Sequence, residues 1–332
     1  METLKTNFWE KVQLKETEVD KEHGFLFNVY NPKIEGAIFI STILIIPFIS
    51  LLIFRFAFGM GKDGAEWLAL LNQGIWIISG VVGGFILYTR QPRLFMKSGL
   101  FIFYAFLIIP FISVLIGSMI IGMIPSLSYE DDNGVKKLTE TATIVSTWFQ
   151  ILGEIIVIGM AFAFTIDLKE RVIKTFKQNW KQLLIVVFVG SVIMIGICIF
   201  AYSAIAQALG AGQSQNQESL EGLLGSSNKT VKIVYTITLF VLTVMMAPLA
   251  EELTARHAVF VGSGNRTVGL IVATLFFGML HVSSGDVEQL PSYLIAGLIL
   301  STVFSISRGN ITYNWLIHAL YNFTALMMII SK

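Results

Sequence analysis

Nine apolar runs separated by polar stretches organise the chain, at about residues 37–58, 67–88, 99–124, 142–166, 183–208, 231–262, 267–285, 291–306 and 311–331. A helix needs about 20 apolar residues to cross a hydrocarbon core about 30 Å thick. The pattern therefore predicts an all-α polytopic transmembrane bundle of about eight to nine spans. The sixth run is too long for one plain span and the eighth is short. Pro47 and Pro110 lie inside runs and predict kinks. The stretches 125–141 and 209–230 are polar and rich in Gly, Ser, Asn or Gln, so they are predicted to be solvent-exposed loops. Residues 1–36 are polar and of mixed charge, interrupted by Phe8, Trp9, Phe25, Phe27 and Tyr30. They read either as a segment on the membrane surface or as a partly ordered tail. They lack the apolar core of a secretory signal. No internal repeat is visible.

Composition narrows the class. Hydrophobic residues make up 55% of the 332 and charged residues 14%, where soluble domains carry about 25% charged. Mean hydropathy is +0.73. These values exclude a soluble globular enzyme, a disordered chain and a disulfide-rich secreted domain. The single cysteine, Cys198, permits no intramolecular disulfide. A net charge of +1 gives no electrostatic footprint for nucleic acid.

The distribution of lysine and arginine sets an expected orientation. One set of alternating segments comprises the N-terminal region, 89–98, 167–182, 251–266 and 306–311. It holds 16 of them: Lys5, Lys11, Lys15, Lys21, Lys33, Arg90, Arg93, Lys97, Lys169, Arg171, Lys174, Lys177, Lys181, Arg256, Arg266 and Arg308. The other set holds 7: Arg55, Lys62, Lys136, Lys137, Lys229, Lys232 and Lys332. Cationic loops are retained in the cytoplasm, so the N-terminus is expected there, in a bacterial or archaeal cell membrane. Nine spans put the C-terminus outside. One re-entrant run would return it to the cytoplasm.

Ionisable groups within apolar runs cost on the order of 2.5–3.5 kcal/mol each and so mark functional candidates. Glu154 stands in the fourth run without a local partner in sequence; it could serve a proton path, but is expected rather to pack against a polar group of a neighbouring helix. Glu252 and Arg256 are four apart, share a helix face and can pair. That pairing leaves Glu251, about 100° around the helix, without a local countercharge. A desolvated carboxylate of this kind suits a general base. Phe277 and His281 share a face of the seventh run, as His318 and Asn322 do in the ninth. Singly, each has a plain structural reading: a solvated helix end for the glutamates, a hydrogen-bonded histidine, and interhelical hydrogen bonding for His318 and Asn322. Together, a carboxylate, two imidazoles and an amide in one bundle can activate a water, or hold a divalent metal, for hydrolysis of a carbonyl bond.

The order Glu251-Glu252-x-x-x-Arg256, Phe277-x-x-x-His281, His318-x-x-x-Asn322 resembles the CPBP (Abi) family, which holds the type II CAAX prenyl endopeptidases and the bacteriocin-processing or immunity proteins. The resemblance covers about residues 243–325. It departs from the family at Ala255, where an aromatic residue is usual, and at His257, where a small one is. It implies an intramembrane endopeptidase with a water-filled cavity opening to the cytoplasm. Glu251 and His281 would activate water, His318 and Asn322 would form the oxyanion site, and Glu252, Arg256 and Phe277 would shape it. Members have been described as glutamate proteases and as metalloproteases. A divalent metal such as zinc, held by Glu251, His281 and His318, therefore stays open. The resemblance divides the chain into a cytoplasmic or interfacial segment (1–36), a transmembrane region of unassigned role (37–230) and a catalytic core (231–332). The expected partners are the lipid bilayer and a membrane-associated peptide or protein substrate, with no nucleic acid. The alternative is a non-proteolytic partner, in bacteriocin immunity or in regulating a membrane sensor kinase. A solute transporter is disfavoured by the absence of paired broken helices in two halves.

Overall fold

A computed structural model describes residues 28–61, 65–130, 136–202 and 214–331. The aromatic residues Phe8, Trp9, Phe25 and Phe27, and with them the two readings of the N-terminal segment, lie outside the described residues. Each of the nine apolar runs becomes a helix. The long helices are α1 (Glu35–Phe58), α2 (Glu66–Arg90), α4 (Phe101–Gly122), α5 (Glu140–Phe164), α7 (Trp180–Ala201) and α9 (Lys229–Ser263). They are followed by α10 (Arg266–His281), α11 (Leu290–Ile306) and α12 (Ile311–Ile330). Short helices α3 (Pro92–Lys97), α6 (Leu168–Gln178) and α8 (Gln215–Glu221) occupy connections. Within 125–141, the only strands among the described residues, β1 (Ser128–Glu130) and β2 (Lys136–Leu138), pair antiparallel.

Seven helices among the described residues are long and apolar enough to cross a membrane: α1, α2, α4, α5, α7, α9, and α11 with the turn before it. The protein is thus a multi-pass helical membrane protein. The other two runs behave differently for stated reasons. Helix α10 has only 16 residues, and α12 carries Asn314, His318 and Asn322 along one face. Outward-facing Phe56, Phe85, Leu184 and Phe188 are exposed, as lipid-facing side chains must be.

The two long helices interrupted by proline resolve it in one way. A proline lacks the N–H for the helical ladder and crowds the carbonyl four residues back. In α1 a π-helical turn at Ser41–Ile45 immediately precedes the segment containing Pro47. In α9 another, Phe240–Met246, precedes Pro248. The wider turn relieves the crowding and frees a carbonyl. Pro110 differs: α4 runs through it without interruption. There the neighbour is fitted to it, because Gly153 of α5 lies so close that a Cβ would stand 2.6 Å from Pro110 Cα. Ser113 Oγ donates to the Phe149 carbonyl at 2.6 Å beside that contact. A small residue lets two membrane helices approach.

The connections gather into two faces. On one, the Ile166 amide donates to the Lys97 carbonyl, Thr175 bonds Asn310, and Arg266 donates to Ser305. This face carries α3, α6 and the turns at 264–265 and 307–310, and so most of the lysines and arginines. On the other, Arg55 pairs with Glu288 at 3.0 Å and Gly61 packs on Gly285. This face carries the β1–β2 hairpin and α8.

Substituting Gly153 with valine is expected to destabilise the bundle by about 1–3 kcal/mol through overpacking. Gly159→Val, in the same helix with nothing within 4 Å, controls for the cost of valine in a helix. Thermal denaturation of both variants in detergent checks this, and equal melting temperatures would contradict the close approach.

Candidate active site

Helix α9 brings Glu251, Glu252 and Arg256 to the middle of the bundle, α10 brings Phe277 and His281, and α12 brings Asn314, His318 and Asn322. Glu252 is the centre of their hydrogen bonding. Its Oε1 accepts from His318 Nδ1 at 3.0 Å. Its Oε2 accepts from Asn314 Nδ2 at 3.2 Å and lies 3.3 Å from Arg256 Nε. Both members of the ion pair are completely buried. The guanidinium carbon of Arg256 sits 4.4 Å from the Phe277 ring centroid, a cation–π contact that supports a desolvated cation. Phe277 in turn meets the His281 ring edge-on at 4.6 Å and the His318 ring at 5.7 Å.

Glu251 faces differently. Its side chain is 16% exposed, as is that of His281, while Glu251 Oε2 and His281 Nε2 themselves are buried without a hydrogen-bond partner. Glu251 Oε2 stands 3.7 Å from His281 Nε2 and 3.9 Å from His318 Nε2. These separations exceed a direct hydrogen bond and suit groups that share a water. An acceptor-only carboxylate at Glu252 requires the proton of His318 on Nδ1, so His318 Nε2 is the atom turned toward Glu251. Asn322 Nδ2 donates to the Thr243 carbonyl at 2.8 Å. Thr243 lies in the second π-helical segment, where such carbonyls need partners. An amide has two N–H groups, so the bond fixes the Asn322 side chain and leaves one donor.

Glu251, His281, His318, Asn322 and Phe277 all line one cavity of about 400 Å³. Among the described residues no three His, Cys, Asp or Glu side chains are arranged to hold a metal. Glu251, His281 and His318 therefore form no such group as they stand.

Two residues of the site escaped sequence reading. Asn314 lies four residues before His318, so extending the α12 spacing backward by one turn finds it. Tyr293 of α11 stacks on His281, with ring centroids 4.6 Å apart, and no spacing announces a contact between separate helices. Glu154 also lines the cavity. Its hydrogen-bond partner is not on a neighbouring helix, as expected, but is Gln150 one turn back on α5, whose Nε2 donates at 3.2 Å. His257 has a structural place instead: it is buried, and its Nε2 donates to the Ser98 carbonyl at 2.9 Å. It thereby docks the turn before α4, where Gly99 leaves it room.

The cavity extends from Glu251 toward the face carrying α8, along Leu242 and Leu239 of α9 and Leu326 of α12. That is the face opposite most of the lysines and arginines.

Residues 233–324 match the family model described as Type II CAAX prenyl endopeptidase Rce1-like. A protein of Mycoplasma capricolum subsp. capricolum, described as "Uncharacterized protein", is 34% identical over 322 residues, which cover 96% of this chain and 94% of that one. No solved structure matches the chain.

Removing one partner of a buried ion pair costs about 3–5 kcal/mol, because the other charge is left uncompensated. Arg256→Ala is therefore expected to lower stability by that order. The double change Glu252→Gln with Arg256→Met should recover part of it. Denaturation of the purified variants in detergent measures both, and an Arg256→Ala protein as stable as wild type would contradict the burial of the pair.

Proposed function

We propose that the chain, whose residues 233–324 match the Type II CAAX prenyl endopeptidase Rce1-like model, is an intramembrane endopeptidase cleaving membrane-associated peptides or proteins. The observation carrying this reading is the position of Glu251, close to two imidazoles and facing a cavity, while the adjacent Glu252 is spent on structure. The two carboxylates thus have separate tasks. Glu252 neutralises Arg256 and fixes His318. Glu251 is left to act as general base.

In this reading a water lies between Glu251 and His281. Glu251 Oε2 takes its proton as the oxygen attacks the scissile carbonyl, and His281 Nε2 orients it. The carbonyl oxygen gains negative charge as the carbonyl carbon becomes tetrahedral. The remaining N–H of Asn322 donates to it, and so does His318 when its ring is an imidazolium with its second proton on Nε2. Such pre-aimed donors stabilise developing charge without reorganising. Collapse of the intermediate expels the amine, which receives the proton held by Glu251. Each atom is accounted for without a metal. The non-proteolytic role, in immunity or sensor-kinase regulation, needs none of these side chains to be ionisable, and the test below separates it.

Glu251→Gln is nearly isosteric but accepts no proton from water. It is expected to lower cleavage by about 10²–10⁴-fold, the usual contribution of a general base. Asn322→Ala should lower turnover by about 10²–10³-fold, the cost of one oxyanion donor. His281→Ala should resemble Glu251→Gln, and the double variant should be far from additive, since both act on one water. Cleavage of a membrane-embedded substrate by purified variants in detergent reads all four. Wild-type cleavage by Glu251→Gln would refute the assignment. A cellular phenotype surviving every substitution would favour the non-proteolytic role. Dialysis against a chelator is expected to leave the rate unchanged, whereas loss restored by zinc would show metal chemistry at this site.

A further inference from the structure

We propose that Glu154 of α5, steadied by Gln150, is a substrate subsite that pairs with a basic side chain, a lysine or arginine close to the bond cut at Glu251. The word substrate rests on the protease reading, and the test is chosen so that the two can fail separately. Glu154 lies outside residues 233–324, the part that matches the family model, so nothing in that match assigns it a task.

Glu154 is buried within a long apolar helix and is 4% exposed. A carboxylate is costly in such a place and persists only with partners. Its hydrogen bonding is half made. Oε1 accepts from Gln150 Nε2 at 3.2 Å, whereas Oε2 is buried and has no hydrogen-bond partner among the described residues. Gln150 is one turn back on the same helix, so this bond joins no two helices. Two other buried glutamates are used in the packing: Glu252 bonds to α12, and Glu35 of α1 pairs with Arg90 of α2 at 2.9 Å. Glu154 has no such tie, and one of its oxygens is left over.

Its place says what it can receive. Gln150 and Glu154 line the same cavity as Glu251, His281 and His318. The stretch of α9 that carries Glu251 packs directly on α5. The two carboxylates are near enough for their charges to act on one another. An extended peptide advances about 3.3 Å per residue, so a long side chain within about three residues of a carbonyl held at Glu251 comes within reach of Glu154.

Charge selects the partner. Glu154, Glu221 and Glu251 line the cavity, and no lysine or arginine does. Arg256 is paired with Glu252 and stays outside the lining. An acidic segment would meet carboxylates there and no fixed cation. An ammonium or guanidinium instead supplies the donors that Glu154 Oε2 lacks, in a poorly hydrated space where opposite charges attract more strongly than in water. Phe106, Met194 and Leu242 in the same wall offer apolar surface to the methylene stem.

The probe is a dansylated, palmitoylated heptapeptide of alanine and leucine with one central lysine. Its twin carries norleucine, which keeps the stem and removes the charge. Fluorescence anisotropy reads binding of each to the purified full-length protein in detergent. The wild type is expected to bind the lysyl peptide about 10–100-fold more tightly, the worth of a hydrogen bond to a charged group. Glu154→Gln should lose that preference and keep its affinity for the norleucyl peptide, which also shows that it is folded. Glu154→Asp keeps the charge and should retain part of the preference. It decides the matter if the glutamine variant fails to fold, since an aspartate variant with no preference overturns the proposal. Glu251→Gln should leave the preference intact. A preference that survives Glu154→Gln but vanishes in Glu251→Gln assigns the cation to Glu251 and overturns the proposal. So does equal affinity of the wild type for the two peptides, or no measurable binding of either, the result expected if Glu154 only stores a proton or fills space. Micelle partition of the peptides is common to all the variants and cancels in the ratios between them. No arm requires cleavage, so undiminished cleavage by Glu251→Gln would sink the protease reading and leave this result standing. Where cleavage is measurable, Glu154→Gln should raise KM for lysyl substrates and leave kcat near wild type. An equal loss on lysyl and norleucyl substrates contradicts the subsite.

Discussion

A fully buried carboxylate governs the centre of this bundle. Glu252 is fully buried, and a buried charge is tolerated only when paired and hydrogen-bonded. Its two oxygens meet that condition from two helices: Arg256 one turn on in α9, and Asn314 and His318 from α12. The geometry of everything nearby follows. Arg256, held by Glu252, lies on Phe277, and Phe277 sets the edge against which both imidazoles rest. His318, anchored through Nδ1, has only Nε2 left to offer. The neighbouring Glu251, one residue along the same helix, is turned about 100° away and so toward the cavity. The Glu-Glu dipeptide is one device with two environments: one carboxylate buried and neutralised, the other facing the cavity with an oxygen that has no hydrogen-bond partner.

The fold was largely legible from hydrophobic runs, because in a membrane the length of an apolar stretch and the length of a helix are set by the same thickness. All nine runs are helical. What periodicity could not supply was the quality of each span. Helix α10 stops at 16 residues, and the polar face of α12 dilutes its apolarity. The residues of the candidate site were found by spacing of three or four, which works within a helix. Glu252–Arg256 and Phe277–His281 are such pairs, and Asn314 would have followed from the same rule. Contacts between helices left no such trace. Tyr293 on His281, Thr243 on Asn322 and His257 on Ser98 depend on which helices are neighbours. Glu154 was misread for the opposite reason: its partner Gln150 was local, four residues back, and was passed over in favour of a distant one.

The central claim is that Glu252 fixes His318 by accepting the proton on Nδ1. Side-chain nitrogen resonances of ¹⁵N-histidine-labelled protein test it directly. The chain has only four histidines, and His318→Gln identifies the signals of interest. The account predicts a protonated, hydrogen-bonded Nδ1 at His318 in the wild type, with that signature lost in Glu252→Gln while the protein remains folded. A His318 ring protonated on Nε2 alone, or one indifferent to Glu252→Gln, would contradict it.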